Sequence, residues 1–381
     1  MSAATIRSTL ARIRGQARRD LLGADPARSA PLDGLRGIAV LIVIASHTSN
    51  AGLHLLPWSM GGTGKSGVYL FFVLSAFLLT RLMLERVGQG TAPAARLWAD
   101  YAFRRVTRIW PLYLVVLVLS LVLTQLGWNG WHYAPMDLAS FRDHLLLRRG
   151  DSVLWSIPVE FKFYLVLPLL VLAMRAARDL ALAWQMLAGV ALLAGATWLW
   201  PPAATLDNDT RLGPYLVLFL CGAMAARIDL ALATRGMKHA ALGWAAIAVA
   251  CALVATHPGV WAWWSGAPVD PQLNHRWLLF FGLAWSALLL AALRGPAWLS
   301  TIFSAWPLRL LGAVSFSAYL WHMPVLDALR GADEGWRWLA AWGGLALVVL
   351  VSVGSWYLVE RPWQRLRLYG RGRPDKMAAS G

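Results

Sequence analysis

The sequence predicts an all-α integral membrane protein with about ten transmembrane helices and both termini in the cytoplasm. Hydrophobic residues make up 58% of the 381 residues, and charged residues only 14%. A soluble domain contains about a quarter charged residues. Apolar segments long enough to cross a bilayer recur along the chain, and basic residues concentrate in alternate connections. This composition excludes both a soluble globular domain and a disordered chain.

Ten segments are apolar enough to form spanning helices of about 20 residues. They lie at 37–55, 66–85, 107–127, 155–174, 181–200, 212–229, 239–257, 276–293, 306–328 and 337–359. Two of them are weaker than the rest. The segment 306–328 is expected to kink around Pro324, and 155–174 begins with polar residues.

Basic residues predict the orientation of these spans. With both termini in the cytoplasm, 26 of the 35 Lys and Arg residues fall inside, eight fall outside, and Lys162 lies within a span. This partition fits the positive-inside rule, and an odd number of spans would place one basic end outside. We therefore predict basic cytoplasmic tails at 1–30 and 366–381 around a ten-helix domain at 31–365.

The net charge of +16 belongs to an apolar chain. We therefore interpret it as marking one side of a membrane, with the lipid bilayer as the partner and no nucleic acid.

Arg36 immediately precedes the first predicted span, and His47 lies within that span, eleven residues later. Eleven residues return to within about 20° of the same helix face and rise ~16.5 Å. Arg36 is thus expected at the inner surface, with His47 above it in the outer half. Ionisable residues inside spans are costly and are candidate functional groups. The structural alternative is a buried histidine bonded to a neighbouring helix.

Glu160 lies near the start of its predicted span, which enters from outside. Ser156 is typical of a helix N-cap, and the helix dipole favours a carboxylate in the first turn. Ser156, Glu160 and Tyr164 recur every four residues and share one face. Glu160 is expected at a depth near His47. The alternative is a carboxylate that only caps its helix.

His322 is expected at the outer end of the ninth span, where it is either functional or simply interfacial. At the inner end of the third span lie Arg104, Arg105 and Arg108. The planar guanidinium binds phosphate oxygens in pairs, so these side chains and Arg36 are candidates to hold a polyphosphate. The alternative is ordinary anchoring by the positive-inside rule.

These depths fit a long donor molecule. The arginines lie at the inner surface, and the histidine lies ~16 Å higher by the helix rise. Acyl-CoA has a charged head and a long thin arm. Its nucleotide end would remain in the cytoplasm while its thioester reached His47.

Six segments occur in the order LDGLRGIAVLIVIASH, GVYLFFVLSAFLLT, RRVTRIWPLY, WSIPVEFKFYLVLP, SFSAYLWHMPV and SWYLVERPW. Together they resemble the membrane-bound acyltransferase-3 family, the O-acyltransferases of bacterial cell-surface glycans. The resemblance covers about residues 30–365. The spacing of Arg36 and His47 matches the family's Arg-x10-His pattern, and Arg105 and Arg108 match its Arg-x-x-Arg pattern.

The resemblance implies a multi-pass enzyme of the bacterial inner membrane. It would transfer an acyl group, usually acetyl, from cytoplasmic acyl-CoA to a hydroxyl of an outer glycan or lipid-linked saccharide. Acyl-CoA would be a substrate, with no permanently bound cofactor and no metal.

The same resemblance assigns roles to the candidate residues. His47 would be catalytic, either as a base that activates the hydroxyl or as a transient acyl carrier. Glu160 would be catalytic as well, because a carboxylate can orient a histidine and stabilise its charged form. The residues that would bind acyl-CoA are Arg36, Arg105 and Arg108. Acceptor-side or supporting residues would be Trp155, Ser156, Tyr164 and His322.

Three positions depart from the family pattern. Tyr69 stands where the family often has Asp, Ala76 where it has Gly, and Lys162 where it often has Gln. A role for a carboxylate at position 69 is therefore in doubt, and the packing of the second helix is expected to differ.

Two other functions remain alternatives. A transporter or flippase of lipid-linked glycan, without acyl transfer, would explain ten helices and buried polar groups. It would not explain why Arg36 and His47 share one helix face, or why further arginines lie at the inner surface. A membrane assembly partner without catalysis would leave His47 and Glu160 dispensable.

The predicted sidedness is testable by cysteine labelling. Single cysteines at Ser2, Ser140 and Ser380, in a background that lacks Cys221 and Cys251, are exposed to a membrane-impermeant maleimide in intact cells. Only position 140 should react before lysis, because 128–154 is predicted outside and both termini inside. Labelling of either terminus from outside would contradict the ten-span topology.

Overall fold

The computed structural model describes residues 29–90, 93–128, 130–234 and 240–369. Within these ranges the chain is helical and contains no β-strand, which confirms the all-α prediction. The helices are α1 (Ala30–Asn50), α2 (Gly64–Gln89), α3 (Ala94–Gln125), α4 (Leu138–Leu145), α5 (Ser156–Ala176), α6 (Leu182–Leu199), α7 (Leu216–Thr234), α8 (Ala241–Ala255), α9 (Pro258–Ser265), α10 (Leu273–Arg276), α11 (Leu278–Arg294), α12 (Ala297–Phe303), α13 (Trp306–Ala313), α14 (Ser315–Ala328), α15 (Arg337–Ser355) and α16 (Arg361–Gln364). Most of the two predicted tails, 1–28 and 370–381, lies outside the described residues.

Long apolar helices make this a multi-pass membrane protein. In the described part of the chain, seven helical segments are long and apolar enough to cross a bilayer. Two bent pairs, α8 with α9 at 79° and α11 with α12 at 110°, raise that number to nine if each pair is one span. The predicted ten spans and the cytoplasmic placement of both ends stay predictions.

The segment 306–328 forms two short helices, α13 and α14, instead of one kinked helix. Pro324 lies inside α14, and the kink expected around it stays a prediction. The break falls at Val314, between the two helices. Membrane helices accept an internal proline because neighbouring groups satisfy the freed backbone.

Together α13 and α14 extend along the whole of α1. Gly312 of α13 lies against the backbone of Asp33, at the beginning of α1. His322 of α14 contacts His47, in the last turn of α1. The end of α13 thus lies against the beginning of α1, and α14 reaches its last turn.

Glycines allow α1 to touch its neighbours backbone to backbone. A Cβ on Gly34 would lie 1.6 Å from the carbonyl oxygen of Phe303, and one on Gly37 would lie 2.0 Å from that of Leu308. Small residues let membrane helices approach closely, where packing and not hydrophobic burial drives association. These contacts fix α1 against α12 and α13.

Ion pairs join the ends of other helices. The side chain of Asp229 on α7 is completely buried, with its two oxygens 2.5 Å from Arg81 on α2 and 2.6 Å from Arg294 on α11. Two guanidinium groups compensate the buried carboxylate, which would otherwise be costly. At the opposite end of α2, Lys65 pairs with Asp207 in the loop before α7.

The glycine contact of α1 yields a stability prediction. Gly37→Ala should lower the free energy of unfolding by about 1–3 kcal/mol, because the added methyl group overlaps the Leu308 carbonyl. Gly354→Ala is the matched control, since no atom lies within 4 Å of its added Cβ. Thermal unfolding of both variants in the same detergent measures the difference. Equal melting temperatures would contradict the close packing of α1 and α13.

Candidate active site

His47 and His322 form a pair of histidines between α1 and α14. Nδ1 of His47 lies 3.1 Å from Nε2 of His322, and the ring centroids are 5.0 Å apart. His322 is completely buried, whereas His47 is partly exposed. The two residues are 275 positions apart in the chain. The structure therefore brings together two of the predicted site residues.

The hydrogen bonds of this pair define which nitrogens carry protons. Nδ1 of His322 lies 3.2 Å from the carbonyl oxygen of Ala318, which can only accept, so this nitrogen donates. Nε2 of a neutral His322 then accepts from Nδ1 of His47. This arrangement leaves the lone pair of His47 on Nε2. An unprotonated imidazole nitrogen can act as a base or as a nucleophile.

His47 lines a cavity of about 310 Å³ with polar walls. The lining includes Asn50, Lys65, Asp207 and Gln272. Hydroxyl-rich ligands are bound by polar groups of this kind, and Trp155 adds an aromatic face to the same cavity. The arrangement can bring a polar ligand to the face of His47.

Glu160 belongs to a second polar group, apart from His47. Its Oε1 accepts hydrogen bonds from Ser75 at 2.7 Å and from Tyr164 at 2.5 Å. Ser75 follows Gly64, which lies beside His47, by eleven residues, or ~16 Å along α2. The expectation that Glu160 lies at the depth of His47 is therefore wrong.

The reason lies in the segment before α5. Residues 152–155 form a 3-10 turn, and Val153, Leu154 and Trp155 are already buried there. Helix α5 thus begins well inside the protein, and Glu160 follows its first turn, farther inward. The residue bonded to His47 is His322 and not Glu160.

Arg105 and Arg108 on α3 lie with Glu160. Arg108 and Glu160 line a small chamber of about 60 Å³. The guanidinium carbon of Arg105 lies 5.7 Å from the ring centroid of Tyr164. Tyr164 thus lies beside Arg105, whereas Trp155 lines the cavity that contains His47. Arg36 pairs with Asp33 at 3.1 Å, near the beginning of α1.

Tyr319 and Val68 contribute to both cavities. The Tyr319 hydroxyl accepts from Ser156 at 3.0 Å and donates to the carbonyl oxygen of Val153 at 2.6 Å. Ser156 itself lines the smaller chamber. The two cavities therefore meet at Tyr319, which is held by hydrogen bonds to the start of α5.

Glu360 is a buried carboxylate that the sequence analysis did not select. Its Oε1 accepts from Ser317, and Oε2 accepts from Gln364 at 3.3 Å. It lies close enough to Arg108 to interact with its charge. Both Ser317 and Glu360 stand inside quoted segments of the family resemblance, and the position of Glu360 at the end of an apolar run was the available signal.

The departures from the family pattern have structural explanations. Tyr69 is completely buried, and its ring centroid lies 6.3 Å from that of Tyr215 and 5.7 Å from that of Phe281. An aromatic ring therefore packs at position 69, where the family often has Asp.

The other two departures concern contacts with neighbouring segments. Ala76 faces Gly222, where an added Cβ would lie 2.9 Å from the Cβ of Ala76. Lys162 reaches the carbonyl oxygen of Thr210 at 2.6 Å, in the loop before α7.

No group of three or more His, Cys, Asp or Glu side chains is placed to hold a metal ion within the described ranges.

Comparison with known proteins identifies the relationship of the chain. The model of the acyltransferase-3 family, described as an acyltransferase domain, matches residues 30–359. The chain is similar to the peptidoglycan O-acetyltransferase OatA of Listeria monocytogenes serovar 1/2a, with 27% identity over 378 residues that cover 91% of this chain and 57% of that protein. No solved structure matches the chain.

Two further relatives have related names. The putative peptidoglycan O-acetyltransferase YrhL of Bacillus subtilis is 26% identical over 366 residues, which cover 87% of this chain and 54% of that protein. The O-acetyltransferase PaAT-1 of Phomopsis amygdali is 26% identical over 408 residues, covering 86% and 79%. The chain thus spans little more than half the length of the two bacterial relatives.

Proposed function

Because the chain belongs to the acyltransferase-3 family, we propose that it transfers an acyl group, most simply acetyl, from cytoplasmic acyl-CoA to a hydroxyl of an extracytoplasmic glycan or glycolipid. The observation that carries this proposal is the paired arrangement of cavities. A polar cavity holds His47, a smaller chamber holds Arg108 and Glu160, and the two meet at Tyr319. In the predicted topology the first opens outward and the second lies inward.

Arg105 and Arg108, which we call the arginine group, would bind the donor. Both lie in the N-terminal half of α3, the inner half in the predicted topology, and supply planar guanidinium groups that suit the phosphates of acyl-CoA. The smaller chamber, at about 60 Å³, admits only a thin group such as the end of a pantetheine arm. Glu160 lines this chamber together with Arg108, and Glu360 interacts with the charge of Arg108, so the two carboxylates would favour the guanidinium group at this place.

His47 would perform the transfer at the other cavity. Its Nε2 can take the proton of a glycan hydroxyl while the oxygen attacks the acyl carbonyl. Alternatively, Nε2 attacks the thioester, the thiolate leaves, and the acyl group passes from the imidazole to the glycan. His322 supports both routes, because it accepts from Nδ1 of His47 and so keeps the lone pair on Nε2.

The acceptor would be a cell-surface glycan. The polar walls of the larger cavity and the face of Trp155 suit a sugar. The names of the relatives OatA and YrhL support a cell-wall polymer as the acceptor class.

The central role of His47 gives the first test of this function. Membranes that contain the wild type or His47→Ala are supplied with radiolabelled acetyl-CoA, and the label in extracted polysaccharide is counted. His47→Ala should reduce transfer by about 100-fold or more, because it removes the base or carrier. His54→Ala is the matched control, since His54 is an exposed histidine seven residues farther along. Equal transfer by a well-inserted His47→Ala protein would contradict the assignment.

The arginine group gives a second test, which separates donor from acceptor. Arg108→Ala should raise the apparent KM for acetyl-CoA by about tenfold or more, because a charge-assisted hydrogen bond is worth about 1.5–3 kcal/mol. The KM for acceptor should change little. Arg104→Ala is the control on the same helix, since Arg104 pairs with Asp100 instead of lining the chamber. An effect confined to the acceptor KM would contradict a donor site here.

A further inference from the structure

Three side chains from separate segments form a hydrogen-bonded chain at the edge of the His47 cavity. The hydroxyl oxygen of Ser152 lies 2.7 Å from Nε2 of His132. Nδ1 of His132 lies 2.5 Å from Oδ2 of Asp327. Ser152 lines the cavity together with His47, and it is exposed. A hydroxyl, an imidazole and a carboxylate thus follow one another within hydrogen-bond distance.

Elementary acid–base chemistry fixes the direction of these bonds. An ionised carboxylate can only accept, so Nδ1 of His132 donates to Asp327. Nε2 of the neutral ring is then the acceptor, and Ser152 donates its hydroxyl proton to it. Arg330 lies 3.0 Å from the other oxygen of Asp327. These are the roles of nucleophile, base and orienting carboxylate, which are recognised by geometry and not by chain order.

The surrounding structure holds the three groups in place. Ser152 has a φ of 51°, a backbone conformation that only a well-determined site imposes on a non-glycine residue. The preceding Asp151 donates its backbone N–H to Nε2 of His144 at 3.1 Å, and Nδ1 of His144 bonds to the Ser140 carbonyl at 2.8 Å. Burial lowers the pKa of His144, which keeps Nε2 free to accept.

The loop that carries His132 is held as well. The neighbouring Tyr133 donates its hydroxyl to the carbonyl oxygen of Leu320 on α14, at 2.8 Å. Asp327 belongs to the same helix. The imidazole and the carboxylate are thus positioned by one helix, and the serine faces them from the turn before α5.

We propose that Ser152 is a nucleophile that carries the acyl group as an ester between donor and glycan. For its donor, this inference rests on the proposed function. Oγ of Ser152 attacks the carbonyl carbon of the acyl thioester while His132 takes the hydroxyl proton. The carbon–sulfur bond breaks, and the thiolate leaves with that proton as the free thiol of CoA. The product is an acyl ester on Ser152 and a neutral His132.

The second half of the reaction returns the enzyme to its starting state. A glycan hydroxyl attacks the ester, and the carbon–Oγ bond breaks. His132, neutral again after the first half, takes the proton of the glycan hydroxyl and delivers it to Oγ, so Ser152 regains its hydroxyl proton and His132 ends neutral. His47 and Ser152 line the same cavity, so His47 is placed to accept a hydrogen bond from the glycan and to orient the hydroxyl that attacks the ester.

The nucleophile can be tested without any acyl donor or glycan. The purified full chain in detergent is treated with a fluorophosphonate probe, which forms a phosphorus–oxygen bond with an activated serine and releases fluoride. Peptide mass spectrometry should find the probe on Ser152 in the wild type. Labelling should fall at least tenfold in His132→Gln and in Asp327→Asn. Absence of probe from Ser152 in the folded wild-type protein would overturn the proposal.

A matched control separates this serine from other exposed hydroxyls. Ser265 is exposed, and its hydroxyl bonds to the Trp261 carbonyl instead of to a histidine. It should remain unlabelled, and Ser265→Ala should leave both labelling of Ser152 and acetyl transfer unchanged. Labelling of Ser265 to the same extent as Ser152 would overturn the claim of an activated nucleophile.

The acyl ester itself requires a second measurement. Membranes are incubated with radiolabelled acetyl-CoA, and the Ser152 peptide is examined for an acetyl ester that hydroxylamine removes. Ser152→Ala should lose this ester and at least 90% of transfer to polysaccharide. If wild type and Ser152→Ala transfer equally, the inference fails while the proposed function stands. If Ser152 takes the probe but the wild type transfers no acetyl group, the proposed function fails and the nucleophile remains.

Discussion

The backbone contact of α1 with α12 and α13 is the constraint on which the site depends. Lipid supplies no hydrophobic drive for helix association, so close packing must hold the helices together. Gly34 and Gly37 allow that packing, and they fix α1 against the segment that leads directly into α14. His322 on α14 consequently meets His47. A methyl group added at Gly34 or Gly37, near the beginning of α1, would therefore shift α1 against α14 and alter the contact between His47 and His322.

The polar side chains at the two cavities form two separate groups. His47 and His322 lie at one, and Glu160 and Arg108 lie at the other. The side chains of each group form hydrogen bonds with near neighbours. His47 bonds to His322, and Glu160 accepts from Ser75 and Tyr164. Because burial of unpaired ionisable groups is costly, such local satisfaction is what allows a membrane protein to keep two polar centres.

The sequence pattern predicted those features that depend on residues within a single helix. The apolar runs predicted the all-α class, and the spacing of Arg36 and His47 predicted that both lie on one helix face, with the histidine in the outer half of the first span. Contacts between distant segments could not be predicted in this way. Glu160 bonds to Ser75, 85 positions away, and His132 to Asp327, 195 positions away. The depth of Glu160 was misjudged because burial of the turn before α5 depends on tertiary packing.

The buried carboxylate of Asp229 limits how this protein can move. It ties α2, α7 and α11 through two arginines, and breaking such a pair leaves an uncompensated charge that costs about 3–5 kcal/mol. Rocking of these helices against one another, as in alternating access, would have to separate them. An opening between α2, α7 and α11 is therefore opposed by that cost. These three helices would consequently move as one rigid body, which disfavours a transport path that runs between them.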